Sequence, residues 1–174
     1  MTQPIMVFSH GQDGEPWGFK IVAMAEVARH AGYQVESVDY RGMADPSARV
    51  AKLLSFCQSL AKNSAAAPVL VGSSMGGHVA AAVSKDVGAR GLFLLAPAFY
   101  MPGFEQYTPQ PAACPITIVH GWNDDIVPVD NSIRYAREYR ARLHVIDSDH
   151  RMTASIGDIT QYLAQFLVQL NAAS

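Results

Sequence analysis

The sequence is poor in cysteine, in charge and in long apolar runs, and each shortage excludes something. Cys57 and Cys114 are its only cysteines, and no C-x-x-C pair occurs. The pair therefore does not suggest a disulfide framework or a zinc site. Cys57 falls inside a helical pattern and reads as a small core residue. Charged residues make up 16% of the chain, the formal net charge is −2 and the pI is near 6.3. No Lys/Arg cluster is present, which argues against a nucleic-acid or anionic-membrane partner. The longest apolar stretch, Leu92 to Tyr100, is far too short to span a bilayer. The opening MTQPIMVFSHG has neither a basic start nor cleavage-type small residues, so the expectation is no signal peptide and a cytoplasmic location. Internal repeats, linkers and low-complexity segments are also missing. All 174 residues are therefore expected to form a single domain, 1–174.

What is present is an apolar pattern of two alternating kinds, within a composition that is 49% hydrophobic. Short continuous runs lie at 4–9, 33–40, 68–73, 91–97, 115–121 and 144–148. Between them come longer stretches with a period near 3.6, from Pro16 to Gly32 and over 46–63, 75–87, 129–141 and 154–171. Six strands alternating with five helices predict an α/β fold, a doubly wound parallel sheet with helices on both faces. Right-handed crossovers with one reversal make 2-1-3-4-5-6 the expected strand order. Ligands bind such sheets at the switch point, beyond the carboxyl ends of strands 1 and 3. Those ends read SHGQDG (9–14) and GSSMGG (72–77).

Within the second, Gly72-Ser73-Ser74-Met75-Gly76 fits G-x-S-x-G on Ser74 alone. A nucleophile on a sharp strand-to-helix turn needs small neighbours two residues either side, and the helix that follows aims its N–H groups at the site. The pattern is short, and its glycines could serve helix-to-sheet packing instead. A serine also needs a base, and the base an orienting carboxylate. Among six histidines, His30 and His78 lie in helices, and His144 lies at the start of the last strand. His10 and His120 precede glycines at strand ends and suit hydrogen bonds to loop backbone. His150 follows the last strand in VIDSDHRM, in a loop at the carboxyl end of the sheet, and is the candidate base. The acid is expected between the two in chain order, in IVHGWNDDIVPVD (118–130). Asp124 is the better placed, with Asp125 the alternative, and Asp147 and Asp149 read as solvated loop residues.

HGQDG after the first strand, GSSMGG, HGWNDDIVP after the fifth and the late DSDH together resemble the α/β-hydrolase superfamily over nearly the whole chain. The likeness is closest to small, lidless bacterial serine hydrolases and esterases. The resemblance implies a Ser74–His150–Asp124 triad and an oxyanion hole from the backbone N–H groups of Gln12 and Met75. The larger family's two N-terminal strands have no counterpart among these runs, so a minimal version of the fold is expected. Where many members carry a cap domain, this chain has only AFYMPGFEQYTPQPAAC (98–114). Phe99, Tyr100, Met101, Phe104 and Tyr107 are candidates to wall an open acyl pocket, flanked by Trp17 and Trp122; edge cover of the sheet is the alternative. The implied activity is hydrolysis of a small carboxylic ester or thioester, a small-molecule acyl substrate, with no cofactor and no metal. A peptidase or amidase using the same residues, or a binding protein on the same scaffold, are the alternatives.

Overall fold

Strands that read as unbroken apolar runs lie in the middle of the sheet, because only there are both faces covered. β1 (Ile5–Ser9), β4 (Gly91–Leu95) and β5 (Ile116–Gly121) are buried at every position, and β3 (Val69–Ser73) at all but its last. β2 (Gln34–Val38) and β6 (Arg142–Ile146) carry polar residues and form the half-exposed edges. The structure, a computed structural model of the chain, describes residues 3–62, 66–102 and 108–173. The six strands pair in the order β2-β1-β3-β4-β5-β6, all parallel, as the pattern predicted.

Side chains alternate between the two faces along each strand, so each face builds its own core. Met6, Phe8, Val71, Phe93 and Val119 pack beneath α1 (Phe19–His30) and α5 (Ile156–Ala172). Ile5, Val7, Leu70, Leu92 and Ile118 pack beneath α2 (Pro46–Ala61), α3 (Met75–Val83) and α4 (Val129–Tyr139). Fully buried side chains such as Leu163 or Leu53 each contribute about 2 kcal/mol of hydrophobic stabilisation.

Three of the boundaries that differ from the pattern have a clear local cause. Pro16 belongs to a turn closed by the Gly18 amide on the Glu15 carbonyl, and α1 begins only at Phe19. α3 stops at Val83, where the Ser84 hydroxyl donates to the Ala81 carbonyl and the chain turns through Gly88. The last strand starts at Arg142 rather than 144: Arg140 takes a left-handed conformation (φ 57°) that ends α4, and the strand follows at once. His144 therefore sits mid-strand, stacked on Tyr162 of α5 with centroids 3.8 Å apart.

Candidate active site

The turn from β3 into α3 is tight because nothing larger than glycine fits around it. A Cβ at Gly72 would overlap the Gly76 carbonyl, and one at Gly76 would overlap the Ser9 carbonyl on the neighbouring strand. The backbone of Ser74 is forced to φ 53° and ψ −120°, a region that costs about 1–3 kcal/mol for a residue with a side chain. Its amide donates to Leu95 (2.9 Å), and its carbonyl accepts from Gly77 (3.0 Å) and Ala98 (2.9 Å). The strain is thus held by three elements, and it leaves the hydroxyl projecting from the end of the sheet.

His150 Nε2 lies 3.0 Å from Ser74 Oγ. His150 Nδ1 donates to Asp124 Oδ2 at 2.7 Å, which leaves Nε2 as the acceptor facing the serine. The Asp124 side chain is fully buried and His150 is 20% exposed. Two further donors, the amides of Ile126 (2.9 Å) and Val127 (2.8 Å), hold Asp124 Oδ1. Burial pushes the Asp124 carboxyl up, but the hydrogen bonds from His150, Val127 and Ile126 outweigh it and hold it below its ordinary value. Asp125 makes no such bonds and instead lines the cleft outside. The turn thus wraps around Asp124 and leaves Asp125 facing the cleft.

The loops that carry the pair are tied to one another. The Asn123 amide donates to the Ser148 carbonyl (3.0 Å), and its side chain donates to Asp147 (2.7 Å). Asp149 accepts the Met152 amide at 2.9 Å, and Met152 is fully buried. Asp147 and Asp149 are exposed, as the sequence suggested, and they also bracket the His150 loop.

Gln12 and Ser74 lie in the wall of one open cleft of about 630 Å³, with Gly11, Gly14, Phe19, Ile126 and His150. Met75 opens α3, where a first-turn amide has no carbonyl one turn back to receive it. Behind Gln12 stands Arg49, 1% exposed, whose guanidinium donates to the carbonyls of His10 (3.1 Å), Gln12 (3.3 Å) and Met43 (2.7 Å). His10 Nδ1 donates to the Gly11 carbonyl (2.7 Å), and Nε2 accepts the Tyr40 amide (2.8 Å). Sequence reasoning passed over Arg49; its one signal is an arginine in register with Leu53 and Cys57 on the buried stripe of α2.

The aromatic wall is a correction. Phe99 is fully buried and stacks on Tyr135 with centroids 3.8 Å apart. The Tyr100 hydroxyl donates to Glu138 (3.1 Å), and the Arg134 guanidinium covers its ring at 3.9 Å. Left-handed turns at Ala96 and Tyr100 send this segment onto α4 rather than over the cleft. Trp17 and Trp122 are exposed and stand outside the cleft lining, where Phe19 and Ile126 take the expected places. Met101 lies near Asn131, with its sulfur 3.8 Å from the amide. Phe104 and Tyr107 lie outside the described residues.

A family model described as "Alpha/beta hydrolase family" matches residues 6–170. The chain belongs to the alpha/beta hydrolase family. This hydrolase also matches a solved structure from Xanthomonas campestris described as a hydrolase of the alpha/beta superfamily. Identity is 31%, covering 97% of this chain and 99% of that one, with a TM-score of 0.88. Est1E from Butyrivibrio proteoclasticus is 18% identical over 98% and 89% of the two chains, with a TM-score of 0.87. XC6422 from Xanthomonas campestris, an α/β serine hydrolase without a lid, is 18% identical over 97% and 83%, with a TM-score of 0.77. At that identity the last two speak for the fold alone. No match is found among the curated proteins. Among the described residues of the hydrolase, no helix is long and apolar enough to cross a membrane.

Proposed function

We propose that this hydrolase cleaves small carboxylic esters or thioesters through an acyl-enzyme on Ser74. The observation that carries the reading is the continuous relay from Ser74 Oγ through His150 to a buried Asp124, at 3.0 and 2.7 Å. Ser74 attacks the carbonyl carbon as His150 Nε2 takes its proton. The imidazolium so formed is stabilised by Asp124, and it then protonates the departing alcohol or thiol. Water repeats the sequence in reverse roles and frees the acid. The oxyanion of each tetrahedral intermediate is received by the N–H groups of Gln12 and Met75, each such donor being worth about 3 kcal/mol in the transition state. Arg49 supports this by fixing the Gln12 carbonyl, and with it the plane of the loop.

The open, half-apolar cleft suits short acyl groups, with Phe19 and Ile126 as exposed apolar contacts. Hydrolysis of short-chain p-nitrophenyl esters and acyl thioesters tests the reading. Turnover by the unmodified protein, abolished in S74A, is expected; turnover that survives S74A would contradict it.

A further inference from the structure

Asp124 has a second histidine that the reaction does not use. His120, at the end of β5, is fully buried, with Nε2 3.0 Å from Asp124 Oδ2, the same oxygen that His150 Nδ1 occupies. His120 Nε2 also lies 2.9 Å from the Val127 carbonyl, and Nδ1 lies 2.7 Å from the Ser132 hydroxyl. The Val127 carbonyl is an acceptor only, so Nε2 carries the proton and donates to it, with Asp124 Oδ2 3.0 Å away on the same side. Nδ1 then accepts from Ser132, which fixes the tautomer. Burial disfavours the charged imidazole and keeps the ring neutral, against the nearby Asp124 charge that favours protonation.

We infer that His120 is a positioning residue that aims the acid: it clamps Asp124 Oδ2 toward His150 and ties the turn at 124–127 to β5 and, through Ser132, to α4. This role rests on the triad reading proposed above. Without the Nε2 donor, Asp124 keeps its two backbone bonds at Oδ1 but loses what holds Oδ2 on its dry side. His150 and, more remotely, Lys20 also act electrostatically on this pair. The i, i+4 spacing of His120 and Asp124 places both on one strand-end turn, so the clamp is local and stiff.

Two isosteric changes separate the roles of the two ring nitrogens. In H120Q the side-chain amide reaches the Nε2 position and keeps a donor toward Asp124. In H120N it reaches only the Nδ1 position, keeps the Ser132 contact and loses that donor. Expected for H120N is a fall in kcat of about ten- to a hundredfold, the cost of losing an outer partner that orients a ligand side chain. KM should stay close to that of the unmodified protein, since substrate binding is untouched. H120Q should recover most of the loss. Proton NMR supplies a readout independent of turnover: the downfield His150 Nδ1 proton, bonded to Asp124, should weaken or shift in H120N and persist in H120Q. If H120N does not fold, S132A, which removes the Nδ1 partner and the tie to α4, should lower kcat several-fold in the same sense. Equal kcat and an unmoved Nδ1 proton in H120N would overturn the role. So would equal losses in both variants that track only melting temperature. Absence of turnover in the unmodified protein would instead sink the hydrolytic reading, while the Nδ1 proton still decides whether His120 aims Asp124.

Discussion

Asp124 and Asp125 are chemically identical neighbours, and only position separates them. Asp124 is fully buried and receives three hydrogen bonds, from His150 and two amides, with His120 Nε2 3.0 Å from Oδ2. D124N should lower kcat by about 10⁴, because an amide there stabilises the wrong His150 tautomer and no imidazolium. D125N should leave kcat within a few-fold, since Asp125 only lines the cleft. Steady-state kinetics of the two variants checks the ranking, and the reverse ranking would show the acid to be Asp125. Ser74, His150 and Asp124 were legible in the sequence because their signals are local: glycines round a turn, a loop beyond a strand end, chain order. His120 was less so, because a histidine before a strand-end glycine also suits a bond to loop backbone, which it makes to Val127, and Arg49 because its partners lie across the fold. Arg49 reaches His10 from 39 residues away. The aromatics misled for a related reason: Phe99 and Tyr100 follow β4 in the place where a pocket wall is expected, yet left-handed turns at Ala96 and Tyr100 send them to α4.

At the scale of elements, the apolar pattern located the strands and α-helices of the described residues, and its errors fall where caps decide. α2 begins as read, because Pro46 occupies its first turn and Asp45 accepts the amides of Ser47 (3.4 Å) and Ala48 (3.0 Å). Removing that cap in D45A should destabilise the protein by about 1 kcal/mol, measured by urea unfolding with the slope unchanged. An effect near zero would mean that the α2 terminus is held by packing alone. β6 began earlier than expected because Arg140, not a glycine, takes the left-handed position that ends α4. Composition gives little warning of such a stop. A polar edge strand, RLHVI, also lacks the continuous apolar run by which the inner strands announce themselves.

For the whole molecule, the buried histidines set how stability responds to acid. Burial holds His10, His78 and His120 below the ordinary imidazole value of 6.5. In the unfolded chain they titrate near that value, so below pH 6.5 the unfolded state gains protons that the folded state does not. Asp124 acts later, since its folded value is depressed: its contribution is present above the unfolded value of 3.8 and is lost as the pH falls through the folded one. The melting temperature should therefore decline progressively from pH 6.5 downward, well before the carboxylates titrate. A flat melting temperature between pH 7 and 5 would show that these imidazoles are not kept neutral by the fold. The same fold explains why a chain without a cap domain keeps a defined site. Ser74, His150 and Asp124 all sit at one end of the sheet, where β1, β3, β5 and β6 terminate.

The central claim is an activated Ser74, and active-site labelling tests it most directly. The intact protein is treated with a fluorophosphonate, and the modified peptide is identified by mass spectrometry. The relay predicts one adduct on Ser74 that is lost in H150A, because only a serine paired with its base attacks phosphorus at a useful rate. An adduct on another residue, no adduct on folded protein, or labelling of Ser74 undiminished in H150A would contradict it.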